Sequence, residues 1–135
     1  MSGNKKESYK NPFLSFIQVN LKKSFVAAVE MNKRVNEMSQ YIALVTEPYR
    51  YNNKFCLPPP GSKVIMAGDE KPRTAIISKG CWNIVALENY CNKDCTVALA
   101  SNRGEKILLA SIYLDINEPV AQTWLQQLVL SLIHI

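Results

Sequence analysis

Three features are absent or scarce in this sequence of 135 residues, and each argues against a class of protein. No apolar run reaches the roughly 18 residues that cross a bilayer, so a transmembrane helix and a membrane partner are not expected. Histidine occurs once, at His134, so the pair Cys91 and Cys95 lacks the second ligand pair of a zinc site. Residues 1–10 are polar and contain no apolar core of a secretory signal. We therefore expect an intracellular protein whose thiols remain free.

The composition that is present is that of an ordinary globular domain. Apolar residues make up 47% of the chain and charged residues 20%, and this length is enough to bury a core. The net charge of +5 is compatible with a polyanionic partner but does not require one. Residues 1–11 are polar and carry three lysines, which predicts a disordered basic tail before one domain at 12–135.

The first half of the chain has the pattern of two strands joined by a helix. Residues 13–19 are mostly apolar and predict a strand, and residues 41–46 form a second apolar run that predicts a buried strand. Between them, apolar residues recur at helical spacing and predict an amphipathic helix at about 22–38. A connection through a helix of this length predicts a parallel, right-handed crossover.

This crossover places the ends of the two strands side by side. Asn20 follows the first strand and Glu47 follows the second, so both are expected at the same crevice. Ligands of open α/β sheets bind outside the carboxyl ends of strands, and Glu47 is therefore a candidate metal ligand or acid/base. The alternatives are a solvated loop glutamate for Glu47 and a helix cap or turn residue for Asn20.

The second half of the chain indicates a loop followed by short strands. In the proline-rich loop 48–62, aromatic and cationic residues alternate, which suits either nucleic-acid contacts or a loop that tyrosines anchor. After this loop we expect an antiparallel meander, and a helix at about 117–131. The fold class is therefore α/β, with a mixed sheet system. The predicted strands cover 63–67, 73–78, 82–87, 96–100 and 106–113.

Four motifs in order carry a resemblance to a known family. They are the strand that ends in Asn20, the run from Ala43 to Tyr49 with its Glu-Pro-Tyr ending, residues 73–77 and the Ala-Ser-Ile-Tyr at 110–113. In this order and spacing they resemble the endonuclease/exonuclease/phosphatase superfamily, and within it the endonuclease domain of non-LTR retrotransposons. The resemblance covers about residues 13–130. It implies part of a four-layer α/β sandwich of mixed β-sheets flanked by helices.

The resemblance also implies roles for individual residues. Glu47 matches the glutamate that holds Mg²⁺ or Mn²⁺ at the scissile phosphate. Asn20 matches an asparagine that orders the network near the metal, and Tyr113 matches a tyrosine that lies against the phosphate. Arg73, which begins a strand near the same face, is expected to contact nucleic acid. Tyr49 and Arg50, from the proline-rich loop 48–62, are expected to do the same. The implied partners are DNA and a fused reverse transcriptase, and the implied location is the nucleus.

The sequence also departs from that family. The Gly-Asp-x-Asn and Asp-His motifs that come later in members of that family do not occur in this sequence, and Lys22 stands where some relatives carry an acidic residue. One carboxylate alone is a poor Mg²⁺ site. We therefore expect the N-terminal part of a metal-dependent DNA endonuclease that is inactive by itself. The alternatives are a non-catalytic nucleic-acid-binding or interaction fragment, and a chain that folds poorly because an inner sheet face is uncovered.

Overall fold

The computed structural model describes residues 13–52, 54–67 and 71–114. The predicted basic tail, the predicted helix at 117–131 and His134 lie outside these ranges. Within them the chain forms one α-helix, nine strands and a short 3-10 turn. The elements are β1 Ser15–Asn20, α1 Phe25–Asn36, β2 Tyr41–Thr46, β3 Arg50–Tyr51, β4 Lys54–Phe55, β5 Lys63–Ile65, β6 Thr74–Lys79, β7 Asn83–Ala86, the 3-10 turn Glu88–Tyr90, β8 Cys95–Asn102 and β9 Glu105–Ile112.

The first sheet has the strand order β1-β2-β6-β5. β1 pairs with β2 in parallel, with Asn20 opposite Thr46, and β6 runs antiparallel to β2. The parallel crossover through a helix is therefore confirmed. Both faces of β2 are covered, which explains why its sequence is a continuous apolar run instead of an alternating one.

Helix α1 begins at Phe25, three residues later than the sequence pattern predicts. Lys22 and Lys23 have φ values of 52° and 55°, which no right-handed helix contains. Ser24 is the N-cap, and its hydroxyl oxygen accepts a hydrogen bond from the Ala27 N–H at 3.2 Å. The cap is therefore Ser24 and not Asn20. Residues at helical spacing pack one face of α1 on the first sheet; they are Ala28, Met31 and Val35.

The short strands do not form one continuous meander, because the chain changes sheets after β6. β5 and β6 pair within the first sheet, whereas β7, β8 and β9 form a separate antiparallel sheet. The change occurs at Gly80, whose φ is +128°. A Cβ atom at Gly80 would lie 2.8 Å from Cγ of Gln40, so this connection needs glycine for both its backbone conformation and its close approach.

The described residues form layers of helix, sheet and sheet. The face of the first sheet opposite α1 packs on the second sheet, and the shared core includes Ile42, Ile76, Ile84 and Leu109. This arrangement agrees with the expected partial α/β sandwich. In the described part of the chain, no helix has the length and apolar character that crossing a bilayer requires.

Candidate functional site

The ends of β1 and β2 meet at one edge of the first sheet, as the sequence predicts. Asn20 is the last residue of β1 and lies opposite Thr46, so Glu47 comes one residue beyond this pair. The Leu21 N–H donates to the Thr46 carbonyl at 3.0 Å, and the Lys23 N–H donates to the Glu47 carbonyl at 2.9 Å. These two hydrogen bonds hold the loop after β1 against the loop after β2.

Glu47 occupies a strained and well-anchored position. Its φ is +47°, in the left-handed region that residues with a Cβ atom rarely adopt. Its N–H donates to the carbonyl of Arg73 at 2.8 Å, which ties it to the segment before β6. The side chain is half-buried, and no group within the described residues donates a hydrogen bond to its carboxylate. The carboxylate is therefore free to bind a cation or a hydrogen-bond donor.

Asn20 is exposed and acts as a turn residue. Its Oδ1 accepts a hydrogen bond from the Lys22 N–H at 2.8 Å. Asparagine often bonds the backbone two residues ahead in this way and so fixes the turn. The contact orients the amide at the same edge that presents Glu47, so a structural role and a role in the site are compatible.

A second group of side chains forms an ion-paired cluster at the ends of other strands. Arg73 donates from Nε to Oδ1 of Asp94 at 2.5 Å and from Nη2 to Oδ2 at 2.8 Å, so the pair is bidentate. Only 20% of the Arg73 side chain and 15% of the Asp94 side chain are exposed. The guanidinium carbon of Arg73 lies 4.6 Å from the centroid of the Tyr113 ring. We refer to Arg73, Asp94 and Tyr113 as the clamp.

Backbone hydrogen bonds connect the clamp to Glu47. The Arg73 N–H donates to the Lys93 carbonyl at 2.5 Å, and the Tyr113 N–H donates to the Asp94 carbonyl at 2.9 Å. With the bond from Glu47 to Arg73, the ends of β2 and β9 and the segments before β6 and β8 are joined in one corner. Asp94 is not among the site residues predicted from the sequence, since nothing in the sequence around Asp94 distinguishes it from any other polar turn residue.

Buried hydroxyl groups link the two sheets near this corner. The hydroxyls of Thr74 and Thr96 are 2.8 Å apart, and the Ser111 hydroxyl donates to the carbonyl of Val45 at 2.8 Å. Register pairs relate these residues, because Thr96 lies opposite Ser111 and Thr74 lies opposite Thr46. The layer between the sheets is therefore polar at the site end and apolar farther away.

The loop after Glu47 separates into an anchoring part and an exposed part. The ring of Tyr49 packs edge-on against Phe25, with centroids 5.9 Å apart and an interplanar angle of 76°. Tyr49 therefore helps to anchor the loop to α1, and Arg50 donates from Nη1 to the Asn52 carbonyl at 2.9 Å. In the β3–β4 hairpin, Tyr51 is 74% exposed and Lys54 is also exposed. The loop 48–62 thus exposes Tyr51 and Lys54, whereas Tyr49 and Arg50 are half-buried.

The four cysteines are free thiols. Burial is the main cause that raises the pKa of the Cys95 thiol to about 12, and the nearby Cys91 and Asp94 act in the same direction. A thiol that remains protonated is a poor metal ligand and a poor nucleophile. Within residues 13–52, 54–67 and 71–114, no three His, Cys, Asp or Glu side chains are grouped so that they could hold a metal ion.

The fold is similar to that of a known nuclease domain. No protein-family model and no curated protein sequence matches this chain. Among solved structures, the endonuclease domain of TRAS1, a telomere-specific non-LTR retrotransposon, superposes with a TM-score of 0.62 at 19% sequence identity. The match covers 84% of this chain but 50% of that domain, so the chain spans about half its length. At this identity the likeness shows the fold, and it confirms the nuclease-like fold that the motifs implied.

Proposed function

We propose that this chain forms the N-terminal part of a divalent-metal-dependent DNA endonuclease, an enzyme that hydrolyses phosphodiester bonds. The observation that carries the proposal is the free carboxylate of Glu47, which stands beside Asn20 at the edge of a nuclease-like sheet. Ligands of α/β sheets bind at such strand ends, where loops from several strands converge. The net charge of +5 suits a polyanionic substrate.

The residues at this corner match the chemical needs of phosphodiester hydrolysis. Negative charge develops on the phosphate oxygens as the nucleophile attacks, and hydrogen-bond donors aimed at those oxygens stabilise it. In this proposal the Tyr113 hydroxyl and the Asn20 amide serve as such donors. Glu47 supplies an anionic oxygen for a hard cation, and Mg²⁺ or Mn²⁺, when bound, supplies Lewis-acid stabilisation of the phosphate.

The described residues fit one side of such a cation and do not complete its shell. Mg²⁺ takes about six oxygen ligands, whereas this corner offers the carboxylate of Glu47, since the amide oxygen of Asn20 already accepts a hydrogen bond from the Lys22 N–H. Asp94 is the carboxylate of the clamp, but both of its oxygens accept hydrogen bonds from Arg73. Water molecules and the substrate phosphate can fill part of that shell, but any further protein ligands would have to come from residues outside the described ranges. We therefore expect the 135-residue chain to be inactive by itself.

The finer biological role extends this proposal. The similar structure belongs to a telomere-specific non-LTR retrotransposon, and that wording applies to that protein. For this chain we propose nicking of target DNA, association with a reverse transcriptase in the same polypeptide, and action in the nucleus. These steps all depend on the corner at Glu47 being a nuclease site.

Paramagnetic Mn²⁺ tests the metal site without requiring activity. In a ¹⁵N-labelled sample, low Mn²⁺ concentrations should broaden the amide signals near Glu47 and Asn20 first. The variant Glu47→Gln should abolish this local broadening because it removes the charge and keeps the shape. Glu30→Gln is the matched control, since Glu30 is an exposed carboxylate paired with Lys33 on α1. Mn²⁺ broadening near Asn20 and residue 47 that is the same in Glu47→Gln as in the wild type would contradict the proposed site.

Plasmid nicking and gel-shift assays separate the endonuclease from a non-catalytic binding fragment. We expect no nicking of supercoiled plasmid above background by the 135 residues with Mg²⁺, and weak, salt-dependent DNA binding. The exposed Tyr51 and Lys54 favour such binding, because aromatic rings and cations on one hairpin suit nucleic acid. Robust nicking that Glu47→Gln removes would show that the chain is active by itself. DNA binding with no Mn²⁺ effect at Glu47 would favour the binding fragment.

A further inference from the structure

We infer that Arg73 and Asp94 are positioning residues that fix the ring of Tyr113 next to the strand end that carries Glu47, and that Arg73 is not a phosphate contact. The inference rests on the proposed function only in the role it gives Tyr113. It also adds Asp94, which no sequence motif indicated, to the residues on which the site depends. The geometry of the pair, its burial and its backbone connections support it separately.

The pair with Asp94 occupies one of the two donor edges with which arginine can bind phosphate. Nε and Nη2 lie along one edge of the planar guanidinium, and both donate to Asp94, at 2.5 and 2.8 Å. Arginine recognises phosphate through the same type of parallel fork. With this fork directed at a carboxylate and one face of the guanidinium over the Tyr113 ring at 4.6 Å, the side chain is oriented toward protein groups.

Because the pair is largely buried, replacing the contact between Arg73 and Asp94 by a contact between Arg73 and a DNA phosphate is unfavourable. The two side chains are 20% and 15% exposed, and each compensates the charge of the other. A phosphate that drew Arg73 away would leave Asp94 as a mostly buried carboxylate without its partner. Breaking a buried ion pair by removing one member is strongly destabilising, because it leaves an uncompensated buried charge. A phosphate contact at the surface does not offset that cost.

The backbone connections explain how the pair acts on the site. Asp94 is held by its own N–H, which donates to Oδ1 of Asn92 at 2.8 Å, while its carbonyl accepts the Tyr113 N–H. The backbone carbonyl of Arg73 accepts a hydrogen bond from the Glu47 N–H. The Arg73–Asp94 side-chain pair therefore links the backbone at Glu47 to the backbone at Tyr113. A shift in this pair is therefore transmitted to Tyr113, which the proposal places at the phosphate, and to Glu47, which it places at the cation.

The decisive measurement is the ring signal of Tyr113 in a sample with ¹³C-labelled tyrosine rings, which the variant Tyr113→Phe assigns. We expect Arg73→Met and Asp94→Asn each to shift this signal, since the guanidinium loses its fixed place over the ring. Arg73→Lys keeps the charge but lacks the planar fork, so it should not restore the wild-type signal. Lys23→Met, which removes an exposed cation at the same sheet edge, is the matched control and should leave the signal unchanged.

Salt dependence of DNA binding provides the contrasting measurement. Loss of one phosphate contact lowers the slope of log K against log salt by about 1. Positioning predicts that Arg73→Met leaves this slope unchanged while it displaces the Tyr113 signal. A slope reduced by about 1 together with an unchanged Tyr113 signal would overturn the inference. A chain that binds no DNA would contradict the proposed function, and the Tyr113 signal in Arg73→Lys and Asp94→Asn would still decide the positioning role.

Discussion

At the scale of single residues, the corner around Glu47 is defined by backbone strain. Lys22, Lys23 and Glu47 all adopt left-handed φ values between 47° and 55°, although none is glycine. Such a conformation costs roughly 1–2 kcal/mol for a residue with a Cβ atom. The hydrogen bonds from Lys23 to Glu47 and from Glu47 to Arg73 hold the strained residues in place. Strain that is maintained in this way is common at functional sites.

This strain predicts an order of stability between two substitutions that both remove the Glu47 carboxylate. Glu47→Gly should be more stable than Glu47→Ala by about 1 kcal/mol, since glycine adopts a positive φ without steric cost. Urea unfolding of the two variants measures the difference. Because neither variant has the carboxylate, the comparison isolates the backbone from the charge. An alanine variant as stable as the glycine variant would show that the left-handed conformation carries no cost.

At the scale of elements, the sequence was most informative where apolar periodicity was strong. The run at Tyr41–Thr46 and the helical spacing before it predicted β1, α1, β2 and their parallel order, and so brought Asn20 and Glu47 to one edge. The β3–β4 hairpin was missed because strands of two residues have no period to detect. The change of sheet at Gly80 was missed because it depends on close packing against Gln40. Only the folded chain brings Asp94 to Arg73, so no local pattern could have paired them.

The contact between β6 and β8 provides a prediction at this scale. Thr74→Val and Thr96→Val should each destabilise the protein by about 1–3 kcal/mol, because each leaves the other buried hydroxyl without its partner. The double variant should recover much of this loss, since a pair of apolar side chains of similar shape leaves no polar group unsatisfied. A double-mutant cycle of unfolding free energies measures the coupling. Strictly additive losses would show that the two hydroxyls do not depend on each other.

At the scale of the whole molecule, buried ionisable groups make stability depend on alkaline pH. Burial raises the pKa of Cys95 from 9.0 to about 12, with Cys91 and Asp94 adding to the effect. Burial also raises the pKa of Tyr41, and the nearby Ser62 partly opposes this shift. Both groups are neutral when protonated, and in this range the unfolded chain releases their protons before the folded chain does. Their contribution is therefore complete below about pH 9 and is lost as pH rises towards 12.

Unfolding free energies measured from pH 8 to 11 should accordingly decrease above pH 9. Cys95 contributes up to about 1.4 kcal/mol for each pH unit in this window. Cys95→Ala should be less stable at pH 8, because it leaves a cavity, but should show a flatter dependence above pH 9. Cys81→Ala is the control, since it removes an exposed thiol instead of a buried one. An equal slope in Cys95→Ala and wild type would assign the alkaline loss to other groups.

The change of sheet at Gly80 has a consequence for how the chain acquires its structure during synthesis. All strands of the first sheet come from residues before Gly80, and all strands of the second come from residues after it. Every strand of the first sheet is therefore synthesised before any strand of the second sheet. The Arg73–Asp94 pair and the hydroxyl contacts each need one partner from either side. The corner at Glu47 therefore cannot be complete until residues on both sides of Gly80 have been synthesised.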